Sequence, residues 1–218
     1  MLNGMFTVLD DLHGEIPPAP DLLYRTDVPR DTWAGLLTDG HYRRLTDGCA
    51  LRAGAIETAE YRARAIVGPL PVRSVVARTS AAWVHLGGHA PGRLELVVPP
   101  GRRVDPSLDW RCTEASLTAT DVVELGGHLV TTPARTLFDL AFVPDADELW
   151  TTLVGLCDVG ADPAVALASV TNQRGSRRAR AVLVRLNQAQ LNEAQPNEAH
   201  TCTAGSEAAL APVMRYTS

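Results

Sequence analysis

The sequence has no lysine: all of its 20 basic residues are arginine. This is a codon-composition trait of a GC-rich genome and carries no chemistry of its own. Aromatic residues are also scarce, at 5% of 218 residues, so the core has to be built from Leu, Val and Ala. No apolar run approaches the roughly 18 residues that a membrane helix needs. The opening MLNGMFTVLDDLHGE lacks the basic start of a secretory signal. Only four cysteines occur, Cys49, Cys112, Cys157 and Cys202, with no CxxC pair, which excludes zinc-site spacing and fits reduced, intracellular thiols. The formal net charge of -5 excludes a generally basic coat for nucleic acid. The balance is that of a soluble, cytoplasmic globular chain with one large domain or two small ones.

The catalytic motifs are missing too. There is no GxSxG, no phosphate-cradling glycine loop and no paired carboxylates in a recognisable frame. His85 and His89 have HxxxH spacing, but Gly87-Gly88 between them should end the helix and spoil the shared face. Ser80, His85 and Asp109 form a trio of the kind any chain of this length contains. No cofactor, no metal and no enzymatic activity are expected.

The pattern that is present reads in three parts. Residues 1–54 open with a helix over 3–13, broken by GEIPPAP, and a brief apolar run at Leu22, Leu23 and Tyr24. A second helix over 29–39 follows, with Pro29 in its first turn, Trp33, Leu36 and Leu37 on one face, and Gly40 as its stop. Then Tyr42, Leu45, Cys49 and Leu51 flank the turn signal Asp47-Gly48, a hairpin pattern. Helices followed by a tight hairpin are the plan of a winged helix-turn-helix. Residues 55–186 read as a mixed α+β body. Helices are expected over 56–67 and 79–86, a strand at RLELVVPP, a hairpin around Gly126-Gly127, and helices over 133–142, 145–158 and about 162–186, the last broken near NQRGS. Residues 187–218 begin with the quasi-repeat LNQAQLNEAQPNEAH and read as a low-complexity linker and tail.

Three groups of residues stand out as site candidates. In the head, Arg30, Asp31 and Thr32 would be exposed on the helix, with His41, Arg43 and Arg44 at the base of the wing. A recognition helix reads the major groove and a wing touches the backbone. Against that, five arginines between residues 21 and 54 are matched by five aspartates. This near-neutral stretch implies salt-sensitive DNA binding or a protein–protein module. A second basic patch comprises Arg174, Arg177, Arg178 and Arg180, in a stretch from Pro163 to Asn192 without any acid. It is either a solvated face or a surface for phosphates or an acidic partner. The third group is TTPARTLFDLA at 131–141. Thr132 suits an N-cap, Pro133 a first helical residue, and Arg135 lies one turn before Asp139. Leu137, Leu140 and Ala141 would share the buried side, so Thr132, Pro133, Arg135, Thr136 and Asp139 read as structural.

Four stretches together resemble the AbiEi-type antitoxins of type IV toxin–antitoxin systems, in the actinobacterial branch whose relatives often carry a C-terminal Vsr-like endonuclease domain. They are LLYRTDVPRDTWAGLLTDGHYRRLTDG, ARTSAAWVHLGG, LELVVPPGRR and, most specific, GGHLVTTPARTLFDLA, spanning about residues 5–186. The resemblance implies a winged helix that binds promoter DNA and represses its own operon, joined to an antitoxin domain that counters a nucleotidyltransferase toxin encoded nearby. It places the recognition helix on Pro29–Asp39 and the wing on His41–Arg52. The wing departs from the pattern: it lacks the extra basic residues, and Cys49-Ala50 stands where Val-Tyr is commoner. AGSEAALAPVMRY faintly resembles the start of the Vsr-like domain. The alternative expectation is therefore a relative that has lost its nuclease domain and serves as an interaction module.

Overall fold

The computed structural model describes residues 19–194 apart from 145, 147 and 173. The helix expected over 3–13 and the tail after 194 lie outside the described residues, and so does AGSEAALAPVMRY. Within them the chain is α+β, with two sheets and seven α-helices.

The head contains β1 (Leu22–Tyr24), helix α1 (Arg30–Thr38), β2 (Tyr42–Thr46) and β3 (Cys49–Arg52). The expected helix and hairpin are both present, and α1 is the one helix of the head among the described residues. Gly40, at φ 74°, takes the left-handed conformation that lets the chain turn from α1 into β2. The sheet order β1-β3-β2 adds a strand that the apolar run at residues 22–24 did not announce, pairing Leu23 with Ala50. Because side chains alternate along a strand, the sheet buries both faces. Leu23, Tyr42 and Ala50 pack under Trp33 of α1. Cys49, with Leu22, Tyr24 and Leu45, packs instead into the core of the body. The head and the body therefore share a core. Hydrogen bonds reinforce the seam: the Tyr61 hydroxyl donates to Asp21 Oδ2 at 2.6 Å, and Thr46 Oγ1 to the Ala65 carbonyl at 3.0 Å.

In the body, α2 (Ala59–Arg64) and α3 (Arg78–Leu86) accompany a five-stranded sheet in the order β6-β5-β4-β8-β7. Its strands are β4 (Val75–Val76), β5 (Leu94–Val98), β6 (Trp110–Glu114), β7 (Val122–Leu125) and β8 (His128–Thr131). β4 with β8 and β5 with β6 are parallel; the other pairs are antiparallel. Helices α4 (Pro133–Ala141), α5 (Trp150–Asp158), α6 (Pro163–Ala168) and α7 (Ser176–Ala194) form a second layer around Leu137, Leu140, Leu153, Leu156, Leu183 and Leu186. α3 lies between the layers. Ala81, Trp83 and Val84 face the sheet cluster and Ala82 the helical one, which is why its run from Ser80 to Val84 is buried all round.

Several expected boundaries move. The helix expected over 56–67 is only α2: Thr58 caps it by accepting a bond from the Tyr61 N–H, so Ile56 stays outside, 81% exposed. α5 starts at Trp150, not 145. The helix expected across 162–186 is two helices, and α7 runs to Ala194, into the stretch read as a linker, because Leu183 and Leu186 anchor it to the core. β4 and β6 were not expected; β4 is two residues long, too short to show a period.

Candidate functional site

The TTPARTLFDLA segment forms the end of β8 and all of α4. Thr132 Oγ1 accepts the Arg135 N–H at 3.3 Å, and Pro133 occupies the first helical position. Arg135 donates from Nε to Asp139 Oδ1 at 3.0 Å, lies 3.5 Å from Asp121 Oδ2, and stacks its guanidinium 5.6 Å from the Phe138 ring centre. Asp121 is itself fixed, accepting from the Thr118 N–H and hydroxyl in a capping box. Burial pushes the Asp139 carboxyl above its ordinary range, against the pull of Arg135, and its Oδ2 has no partner among the described residues. Thr136 is fully buried, its hydroxyl 2.7 Å from that of Thr131. These contacts hold the end of β8, the turn at Asp121 and α4 together.

The head candidates stand on two elements. Arg30, Asp31 and Thr32 are exposed on the first turn of α1, and His41 is exposed before β2. The two wing arginines differ from each other. Arg44 lies 3.4 Å from Asp47, whose side chain is 98% exposed. Arg43 lies 2.6 Å from Glu57 Oε2, a carboxylate only 21% exposed. The other Glu57 oxygen takes a bond from Arg62 at 3.0 Å, and Arg62 also donates to the Val84 and His85 carbonyls at 2.8 and 2.9 Å. Burial works against the Glu57 charge, but the bonds from Arg62 and Arg43 outweigh it and hold the carboxyl below its usual range. The C-terminus of α3 thus receives a buried guanidinium where its last carbonyls need donors.

Sequence reading missed Glu57 and Arg62. For Arg62 a signal existed: Ala59, Arg62, Ala63 and Ile66 fall on one helical stripe, and an arginine on an apolar stripe needs buried acceptors. Glu57 sits just before a helix, and nothing local marks it.

In the basic patch, Arg174, Arg177 and Arg178 are exposed at the start of α7. Arg180 donates to the Val170 carbonyl at 2.5 Å, and Arg185 lies over the Trp150 ring at 4.2 Å. The patch therefore splits into outward arginines and one that closes the loop between α6 and α7.

The His85 ring is engaged by the backbone. Its Nε2 lies 2.7 Å from the Thr131 carbonyl oxygen, which only accepts, so Nε2 carries the proton. No cluster of metal-ligating side chains occurs among the described residues, and none of their helices is long and apolar enough to cross a membrane. Cys49 and Cys157 are buried, and burial pushes both thiols up to about 11, as expected of packing cysteines.

The sheet, α3 and the helical layer, residues 74–187, match the family model of the AbiEi antitoxin C-terminal domain. This chain belongs to the AbiEi antitoxin family. No curated protein matches the chain. Among solved structures, the RV2827C protein from Mycobacterium tuberculosis is similar at 17% identity, covering 85% of this chain and 80% of that one, with a TM-score of 0.41. The AbiEi domain supports an antitoxin-like role and implies a toxin partner. Arg135, Thr136, Asp139 and the outward arginines of α7 lie inside it. The head lies outside it, as do Glu57 and Arg62, yet Arg62 reaches into it at Val84 and His85.

Proposed function

We propose that the protein is the antitoxin of a type IV toxin–antitoxin pair, acting in the cytoplasm without enzymatic activity. Its head would bind the promoter of its own operon and repress it, and its AbiEi domain would counter a nucleotidyltransferase toxin encoded nearby. The observation that carries this reading is the AbiEi antitoxin domain over residues 74–187. Two features support the division of labour. The head presents Arg30, Thr32, His41 and Arg44 at its surface on a helix and a hairpin, the two elements that a winged helix lays on DNA. The body presents Arg174, Arg177 and Arg178 at the N-terminal end of α7, where positive charge opposes the helix dipole and an anionic partner would relieve it.

Two measurements test it. A gel-shift titration of the full chain with DNA from upstream of its own gene is expected to show binding that weakens sharply between ~50 and ~200 mM salt. Co-expression with the neighbouring toxin is expected to restore growth, and Arg177→Ala with Arg178→Ala to reduce that rescue. A chain that neither shifts this DNA nor restores growth is not such an antitoxin.

A further inference from the structure

We propose that Glu57 is a built-in competitor for nucleic-acid phosphate at Arg43, so that the wing is held in check by the body of the same chain. The inference rests on the DNA-binding reading of the head.

Exposed ion pairs are ordinarily weak, because two long side chains must be ordered together. The Arg43–Glu57 pair at 2.6 Å is of a different kind. Its carboxylate is fixed in advance: Arg62, itself 7% exposed, holds Glu57 Oε1 while its other nitrogens are held by the carbonyls of Val84 and His85. Gly87 closes over this arrangement, and a Cβ there would stand 3.1 Å from Arg62 Nη1 and 3.2 Å from Glu57 Oε1. Only Arg43 has to be ordered to complete the pair. Its side chain remains 49% exposed, so a phosphate can reach it. Whichever edge of the guanidinium the phosphate takes, a negative carboxylate stands across the same group. DNA binding at Arg43 must then either break a short ion pair or bring two anions together. Arg44, whose partner Asp47 is loose and almost fully exposed, meets no such barrier. The wing is thus unequal: Arg44 is available to phosphate, and Arg43 has to be released.

The contact also ties the wing to the antitoxin domain. Arg43 of β2 touches Glu57, Glu57 touches Arg62, and Arg62 touches the last carbonyls of α3, inside residues 74–187.

The test compares four full-length proteins, wild type, Glu57→Gln, Arg43→Ala and the double variant, in salt titrations with duplex DNA from upstream of the gene. Glutamine keeps an oxygen for Arg62, and a thermal melt confirms that each variant folds. Glu57→Gln is expected to bind about threefold to fivefold tighter than wild type, with the gain absent on the Arg43→Ala background. If Glu57→Gln binds like wild type while Arg43→Ala weakens binding, the competitor role is overturned and the DNA reading stands. An equal gain on both backgrounds also overturns it, since Glu57 would then act only as general negative charge. If none of the four shifts the DNA at ~50 mM salt, the DNA reading fails and the competitor role with it.

Discussion

The hydroxyls of Thr131 and Thr136 lie 2.7 Å apart in a fully buried position, joining the last residue of β8 to the first turns of α4. Thr136 Oγ1 also lies 3.2 Å from the Thr131 carbonyl oxygen, and that oxygen takes a bond from His85 as well. One residue therefore gathers a strand end, the start of α4 and the C-terminal turn of α3. Replacing Thr136 with valine keeps the volume but strands the Thr131 hydroxyl. The expected loss is about 1–3 kcal/mol of unfolding free energy, read from urea denaturation, with serine recovering most of it.

The same carbonyl makes His85 a source of pH sensitivity. Burial lowers its pKa from the ordinary 6.5, against the raising effect of the bond to Thr131. A base whose folded pKa is depressed contributes stability that is present above the unfolded value and is lost as pH falls through the folded one. Stability of the wild type should decline as pH drops below about 6.5. His85→Gln retains a donor for Thr131 but does not titrate, so its urea midpoint should fall less steeply over the same range. Parallel pH profiles would sink this account.

Arg62 ties Glu57 to the end of α3 through three donors. Arg62→Met removes the donors to Val84, His85 and Glu57 at once and leaves two carbonyls at a helix end without partners. The expected cost is about 3 kcal/mol, measured by denaturation. Arg62→Lys should recover little, since one ammonium cannot match the planar fork.

The hairpin between β7 and β8 separates two adjacent glycines. Gly126 has φ 57°, and a Cβ there would stand 2.7 Å from the Arg64 backbone nitrogen and 2.9 Å from the Glu60 carbonyl oxygen. Gly127 has φ 82°, with nothing within 4 Å. Both alanine substitutions carry the left-handed penalty of about 1–2 kcal/mol. Gly126→Ala adds a clash with backbone and should cost at least about 2 kcal/mol more than Gly127→Ala in the same denaturation assay.

Much of the local structure was legible residue by residue. Pro29 and Gly40 bracket α1, Asp47-Gly48 turns the hairpin between β2 and β3, and Thr132-Pro133 starts α4, because each signal acts within a few residues of its effect. The Arg135–Asp139 pair followed from one helical turn of spacing. The misses have a common cause. β4 is two residues long, and β6 reads as neither a clean alternation nor an apolar run; both exist because a neighbour pairs with them, Val76 with Val130 and Leu96 with Cys112. The extension of α7 beyond residue 187 likewise follows from its anchorage through Leu183 and Leu186, not from the polar repeat itself.

By itself the amino-acid order determined which segments turn, which cap and which face is apolar, and with them the family, since these are short-range properties of side chain and backbone. It also set the even charge balance of residues 21–54, five arginines against five aspartates. Only the tertiary structure decided which of those arginines is already engaged. Arg43 meets Glu57, and Arg62 meets His85, across separations that no local period encodes. Spacing along a chain tells which side chains must be buried or exposed; the packing of sheet on helix selects the partners they find there.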